Sequence, residues 1–213
     1  MVASRRSGPL PDHTKLNYYE CCAKLVLEDL FPERYGQLVL ADKPDLQGDG
    51  IGVEVTIADD RNKQEAVSNW VKAYNCSDPK RQRDYIKRMN QLGVEYSGGV
   101  QGWPGFNTSP EVVLSAVEKK VKTLKKGQYK YFPCYELFVH TNIWVPRAEV
   151  RQVYSAFFDL VDSFSVITIL CQGSELHRFD IDNKQYSFLE LDNSEQTRRN
   201  IRARQIVEDG ERE

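Results

Sequence analysis

An acidic residue and a hydroxyl residue share one face of a short apolar segment in the first third of the chain. From Ile51 to Ile57 apolar residues alternate with other types, which predicts a β-strand whose side chains point alternately to two faces. Glu54 and Thr56 therefore lie together, opposite the apolar face. Because Val53 and Val55 flank Glu54, we expect a central strand; an edge strand that turns Glu54 to solvent is the alternative.

A second carboxylate, that of Asp45, follows a proline at the expected start of the neighbouring strand. A hairpin-like return of the chain would bring Asp45 close to Glu54. Two carboxylates and the Val55 carbonyl are hard oxygen ligands of the kind that Mg²⁺ and Mn²⁺ prefer. The pattern therefore predicts a divalent-metal site at these three residues, although Asp45 alone could be a turn residue that caps local backbone.

A third acid lies on the first predicted helix, residues 14 to 30. Glu20 is in helical register with Ala23 and Leu27, so it falls on the border of the buried stripe. A half-buried carboxylate needs a partner. We expect Glu20 to join the other two acids, with a surface ion pair to Lys24 as the alternative.

Two lysines occupy unusual positions on later helices. Lys63 shares a helical stripe with Trp70, and Lys120 lies between Val117 and Leu124 on an otherwise apolar stripe. Each ammonium group could serve an acidic site nearby. Alternatively, each aliphatic stem covers the rim of the core while the charge reaches water.

The order of these residues resembles the PD-(D/E)XK nuclease superfamily over residues 14 to 75. The matching features are Glu20 on a first helix, Pro44-Asp45, Glu54-Val55-Thr56 on a short strand, and Gln64 on the helix that follows. The resemblance implies a restriction-endonuclease-like core, in which a helix and a three-stranded meander precede a further helix and strand. It also implies that Asp45 and Glu54 bind magnesium, with Glu20 as an outer or third acid.

The chain departs from this family at the position of the motif lysine, which orients or activates the hydrolytic water. Thr56 occupies that position, and it has no ammonium group to stabilise an attacking hydroxide or the charged transition state. The superfamily is known for lysines that migrate to neighbouring elements. Lys63 and Lys120 are the candidates, and its proximity in sequence slightly favours Lys63.

Helical and strand periodicities alternate along the rest of the chain, which predicts an α/β fold with a central mixed sheet flanked by helices. Beyond residue 57 we expect helices over 60–74, 79–92, 110–127 and 147–162, strands over 135–140 and 165–171, a loop over 97–110, and a hairpin of strands 175–181 and 185–191. The predicted organisation is a flexible arm at 1–13, a single α/β domain at 14–195 and a charged tail at 196–213.

Composition restricts the class of protein. No apolar run approaches the roughly 20 residues of a membrane span, and five scattered cysteines without CxxC spacing favour a reducing cytoplasm over a zinc site. His13, His140 and His177 have no partner spacing, and we assign them no catalytic role. With 29 basic and 31 acidic residues, any nucleic-acid surface must be local. Basic runs at 80–88, 119–130 and 198–204 could contact phosphates, or could simply be solvated helix faces.

The sequence therefore predicts a cytoplasmic, Mg²⁺- or Mn²⁺-dependent phosphodiesterase acting on DNA, of a bacterial or phage defence or mobile-element system. Its partner would be nucleic acid, with no membrane, and many nucleases of this kind act as homodimers or with a partner subunit. One alternative is a catalytically degenerate nuclease-like fold that binds nucleic acid or protein. Another is a structural α/β protein with scattered acids.

Overall fold

The computed structural model describes residues 9–11, 14–127, 129–160 and 163–211. The helices in these residues are α1 (Tyr18–Leu30), α2 (Pro32–Tyr35), α3 (Arg61–Asn75), α4 (Pro79–Gln91), α5 (Glu111–Leu124), α6 (Arg147–Val153), α7 (Asn193–Gly210) and a 3-10 helix (Ser155–Asp159). The strands are β1 (Val39–Leu40), β2 (Leu46–Gln47), β3 (Ile51–Ile57), β4 (Glu95–Tyr96), β5 (Val100–Gly102), β6 (Cys134–Thr141), β7 (Val166–Cys171), β8 (Glu175–Asp180) and β9 (Gln185–Glu190).

The chain divides into two compact units. Residues Asp60–Asn107, with the described residues before Leu16, form one unit, which we call the inserted unit. Leu16–Asp59 and the described residues from Thr108 onwards form the other, which we call the sheet unit. The single domain expected over residues 14–195 therefore contains parts of two compact units. Residues 1–8, 12 and 13 of the expected N-terminal arm lie outside the described residues.

The sheet unit contains one seven-stranded mixed sheet. Its strand order is β1-β2-β3-β6-β7-β8-β9. The β3/β6 and β6/β7 pairs are parallel, and the other four pairs are antiparallel. The predicted α/β fold with a central mixed sheet flanked by helices is confirmed.

Strand alternation sends apolar side chains to a separate core on each face of this sheet. On one face, Val53 and Val55 of β3 pack with Ala23 and Leu27 of α1. On the other face, α5 and α6 pack against Leu137 and other residues of β6 and β7. Helices α1 and α5 therefore cover opposite faces, and residues at the edge of the two layers can meet around β3.

Helix α1 begins later than the sequence indicated. Asn17, not Thr14, is its N-cap, and its side chain accepts a hydrogen bond from the Tyr19 backbone N–H. Expected helix 147–162 is also shorter, because α6 ends at Val153 and a 3-10 turn follows; residues 161 and 162 lie outside the described residues.

The segment expected to be a charged tail from residue 196 belongs to α7, which runs to Gly210; residues 212 and 213 lie outside the described residues. Its buried face carries Arg199, Ala203 and Val207, and the Arg199 Nε donates to Asp29 Oδ2 of α1 at 2.9 Å. Ala203 and Val207, four residues apart, thus fall on one face, at a spacing that a charge count conceals.

The inserted unit contains α3, α4 and a small hairpin of β4 and β5. Its core is formed by Ala66, Met89 and Val94, with Trp70 packed against them. The segment expected to be a loop over 97–110 contains the short strand β5, so the prediction of a continuous loop is wrong there. Across the described residues of both units, no helix is long and apolar enough to cross a membrane.

Candidate active site

The pairing of β2 with β3 brings two acidic residues together. Leu46 pairs with Val53 in an antiparallel register, so the same register places Asp45 opposite Glu54. Residues directly opposite each other in an antiparallel pair point to the same face. Asp45 Oδ2 also accepts a hydrogen bond from the Val55 backbone N–H at 2.7 Å, which fixes the carboxylate against β3.

A glycine allows the turn before Asp45 to approach the strand closely. A Cβ on Gly52 would lie 2.5 Å from Pro44 Cγ and 3.0 Å from a ring carbon of Phe132. Neither neighbour could keep its position, so a side chain at residue 52 would displace the segment that carries Asp45.

Glu54 is buried within the sheet, because β3 lies between β2 and β6 and only 2% of the residue is exposed. The edge-strand interpretation is therefore wrong. Lys120 of α5 compensates the buried charge: its Nζ lies 2.6 Å from Glu54 Oε2 and 3.8 Å from Asp45 Oδ2. The ammonium group thus bridges both carboxylates.

One oxygen of this cluster has no hydrogen-bond partner among the described residues. Glu54 Oε1 is buried and accepts no hydrogen bond, although the Tyr129 hydroxyl interacts with the same carboxylate. A buried carboxylate oxygen left without a donor is costly unless a cation or a water molecule satisfies it. Glu54 can therefore accept one further partner.

Glu20 lies within range of the same charges. Burial and then the charge of Asp45 raise the pKa of Glu20 to about 7; Lys120 opposes this rise and Glu54 adds to it. The alternative, a surface ion pair of Glu20 with Lys24, does not form, and Lys24 pairs with Glu28 instead. Glu20 is thus a carboxyl group that exchanges its proton near neutral pH.

The two central acids also hold protons more tightly than usual. Burial is the main cause that raises the pKa of Asp45 and of Glu54. Lys120 opposes that rise for both residues, and the Val55 N–H opposes it for Asp45. Asp45, Glu54 and Lys120 therefore form this site, Glu20 lies close enough to feel their charges, and an added cation would relieve the repulsion among the carboxylates.

Lys63, which sequence proximity favoured, belongs to α3 of the inserted unit, where its backbone N–H donates to Asp60. The observed contacts with the carboxylates are made by Lys120. Helical phase on α5 pointed to Lys120, whereas sequence distance did not.

Tyr129 is a member of the site that sequence reasoning missed. It follows α5, and burial and then the charge of Glu54 raise the pKa of its hydroxyl. Its ring packs edge to face on the Tyr135 ring, with the two ring centroids 6.4 Å apart. Its position depends on the turn after α5, so no local periodicity could have indicated it.

The oxygen atoms here suit a hard divalent cation. Asp45 and Glu54 offer carboxylate oxygens, and Glu54 Oε1 has no donor in the described part of the chain. The Val55 carbonyl points to the side of the strand on which its N–H meets Asp45. Within the part of the chain that the structure describes, however, no three His, Cys, Asp or Glu side chains form a ready-made metal-binding group. The donor set is thus two acids and a carbonyl, with Lys120 beside them.

Neither the two described histidines nor the cysteines contribute to this site. His140 and His177 are buried elsewhere in the sheet unit, and His13 lies outside the described residues. The cysteines Cys21, Cys22, Cys76, Cys134 and Cys171 are all free.

No known family model matches this chain, no curated protein is significantly similar to it, and no solved structure is significantly similar to its fold.

Proposed function

We propose that this protein is a Mg²⁺- or Mn²⁺-dependent phosphodiesterase that cleaves DNA, built on a restriction-endonuclease-like core. The observation that carries the proposal is the contact of Lys120 with both Glu54 and Asp45. An ammonium group beside paired carboxylates is what a metal-assisted phosphodiesterase requires and what Thr56 cannot supply.

The arrangement of the elements supports the same proposal. Helix α1, the antiparallel strands β1 to β3, α5 and the parallel strand β6 follow one another in the sheet unit. This is the helix, meander, helix and strand that the PD-(D/E)XK resemblance implies, with the inserted unit between β3 and α5. A role in defence or in a mobile element, and a homodimer or partner subunit, belong to the proposal as well.

In this proposal the acids and the lysine have separate tasks. Asp45, Glu54 and the Val55 carbonyl hold the divalent ion, which when bound supplies positive charge at the scissile phosphate and lowers the pKa of attacking water. Lys120 donates hydrogen bonds to phosphate oxygens as negative charge develops. Glu20 exchanges its proton near neutral pH and adjusts the charge of the cluster.

The distribution of charge supports a nucleic-acid substrate. Residues 60–107 contain eight basic and five acidic side chains, whereas the rest of the chain contains 21 basic and 26 acidic. The inserted unit is therefore net positive in a protein of net charge −2. Its helix α4 carries the exposed basic residues Lys80, Arg81, Arg83, Lys87 and Arg88.

The test is a cleavage assay of the full chain on single- and double-stranded DNA and RNA, with Mg²⁺, Mn²⁺ or a chelator. We expect metal-dependent cleavage of DNA that Glu54→Gln abolishes. Glu118→Gln is the matched control, because Glu118 is an exposed acid on α5. Undiminished cleavage by Glu54→Gln, or equal cleavage with chelator, would contradict the proposal.

A second candidate is a nuclease-like binding subunit without catalysis. It is favoured by Lys120 itself, which neutralises Glu54 without any metal, and by Thr56 at the motif position. This candidate predicts that DNA binds, in fluorescence anisotropy, with the same affinity to the wild type and to Glu54→Gln, and that neither cleaves DNA in any metal.

A further inference from the structure

A second concave site lies within the sheet unit, at the ends of its parallel strands. A cavity of about 250 Å³ opens where β3, β6 and β7 end and where α1 and α7 pass them. Its wall includes Tyr18, Tyr19, His140, Asn142, Gln172 and Asn200. Ligands of α/β proteins commonly bind in crevices at the carboxyl ends of parallel strands.

The wall of this cavity has no basic side chain. Among the thirteen described residues that line it there is no lysine or arginine, and Asp59 is the single acid. Both oxygens of Asp59 accept hydrogen bonds from Asn142, each at 2.8 Å. A phosphate or carboxylate would find no cationic partner here, so the wall favours a neutral ligand.

The amide side chains of the wall present both donors and acceptors. Asn200 Oδ1 accepts a hydrogen bond from Gln196 Nε2 at 3.2 Å. The Asn200 NH₂ group has no acceptor among the described residues. Asn142 and Gln172 are in the opposite situation: their NH₂ groups donate, to Asp59 and to the Asn142 carbonyl, and their side-chain oxygens accept nothing from the described residues. Asn200 thus offers a donor, and Asn142 and Gln172 each offer an acceptor.

Aromatic rings complete the wall without adding charge. His140 Nε2 lies 2.9 Å from the Tyr19 carbonyl oxygen, which can only accept, so Nε2 carries the proton. Burial lowers the pKa of His140 to about 4, and the ring is neutral at physiological pH. The centroid of the Tyr19 ring lies 5.2 Å from that of His140 and 5.5 Å from that of Tyr18, and both contacts are edge to face.

We propose that this cavity is a binding site for a neutral nucleobase, free as a nucleoside or carried by a longer nucleic acid. The edge of a base alternates donors and acceptors in one plane, which the three amides can match. Its flat face suits the tyrosine rings. The cavity volume lies just below the range of about 300–1,000 Å³ typical of sites for drug-sized ligands. A cavity of this size can hold a base with part of its sugar. The assignment is independent of the carboxylate site.

Calorimetric titration of the full chain with adenosine, guanosine, cytidine, thymidine and uridine tests this site. We expect saturable binding of at least one nucleoside, and no tighter binding of its 5′-monophosphate, because the wall has no cation for the added charge. Glucose and galactose test a sugar as the occupant. Absence of nucleoside binding, or binding of a monosaccharide alone, would overturn the proposal.

Two variants tie the binding to the wall. Asn200→Asp keeps the size of the side chain but removes the NH₂ donor and adds a charge, and should weaken nucleoside binding about tenfold. Gln172→Ala removes an exposed acceptor, with little risk to folding, and should weaken it several-fold. Gln185→Ala, which changes an exposed glutamine of β9, is the control and should bind as the wild type does. Equal affinity of all three variants would refute the site.

Discussion

Lys120 is the residue on which the carboxylate site depends electrostatically. Its ammonium group is the only cation within ion-pair distance of Glu54 among the described residues, and just 3% of the Glu54 side chain is exposed. Removing one partner of a buried ion pair leaves the other charge buried and unpaired, which is strongly destabilising. Activity and stability should therefore fall together when this lysine is replaced.

We expect Lys120→Met to lower the free energy of unfolding by about 3 kcal/mol and to reduce cleavage at least a hundredfold, an order-of-magnitude figure for loss of one charge-stabilising group. Urea unfolding and the cleavage assay measure the two effects. Lys122→Met on the same helix is the matched control, because the Lys122 side chain is 76% exposed. Lys63→Met tests the other candidate lysine in the same two measurements. Full activity of Lys120→Met would exclude Lys120 as the catalytic cation.

Glu20 should make stability depend on pH in the direction set by its raised pKa. Its ordinary pKa is 4.5 and its folded value is about 7, so the folded protein holds the proton more tightly than the unfolded chain. The contribution of Glu20 to stability is then complete below pH 4.5 and is lost as pH rises through about 7. Glu20→Gln, which cannot ionise, should gain stability relative to the wild type across that interval.

Thermal melts at a series of pH values measure this difference. Glu33→Gln, at an exposed position of α2, should give a profile parallel to that of the wild type. If the melting temperatures of wild type and Glu20→Gln stay parallel from pH 4 to pH 8, Glu20 does not have the burial and neighbours assigned to it.

The sequence identified the individual acids better than their partners. Alternation in β3 and the Pro44-Asp45 turn indicated where Glu54 and Asp45 point, because strand faces follow from local spacing. The choice between Lys63 and Lys120 could not be made in this way. It depends on which helix crosses β3, and that is set by packing between segments 66 residues apart in the case of Lys120 and Glu54.

At the scale of elements, α7 shows how a highly charged segment can still be a structural helix. The Asp192 side chain caps it by accepting from the Ser194 and Glu195 N–H groups. Ala203 and Val207 are fully buried on it, whereas Ile201 is 41% exposed. Helix stability here comes from a narrow packed face and not from mean hydropathy.

Val207→Ala should therefore lower the free energy of unfolding by about 2 kcal/mol, because it leaves a cavity in a packed interface. Ile201→Ala removes a larger side chain from the exposed face of the same helix and should cost less than about 0.5 kcal/mol. Chemical denaturation of both variants measures the two losses of unfolding free energy. Equal losses would mean that α7 does not pack as described.

Regular elements with strong periodicity were predictable, and elements shaped by tertiary contacts were not. Strand β3 and helix α4 lie within one residue of the expected bounds, because apolar spacing and caps such as Asp78 specify them locally. Helix α5 begins within one residue of its expected start but ends at Leu124, three residues before the expected Gly127. By contrast, β4 and β5 have two and three residues. Such short strands form only because they pair, which no single segment encodes.

At the scale of the whole molecule, charge is distributed unevenly along the chain. Residues 60–107 are net positive and the remainder is net negative. A protein with such asymmetry can bind a polyanion through one region although its total charge repels one weakly. The salt dependence of DNA binding should therefore be determined mainly by the inserted unit.

Combined substitution of Lys80, Arg83 and Lys87 by Gln should reduce the slope of log affinity against log salt concentration by about 2 to 3, as expected for three phosphate contacts. Lys119, Lys122 and Lys126 on or just after α5 are also exposed, and their triple change to Gln is charge-matched. We expect it to alter the slope less. Fluorescence anisotropy at several salt concentrations measures both. A larger effect of the second set would place the contact surface on the sheet unit.

Residues 60–107 lie between β3 and α5 in the sequence and belong to a different compact unit from these two elements. Asp45, Glu54 and Lys120 all belong to the sheet unit, whereas the inserted unit has its own core around Met89. Substitutions in the inserted unit therefore change none of the side chains that form the carboxylate site. Under the proposed function, substitutions in the inserted unit would change which DNA is bound, whereas the chemistry of cleavage, which belongs to the sheet unit, would stay the same.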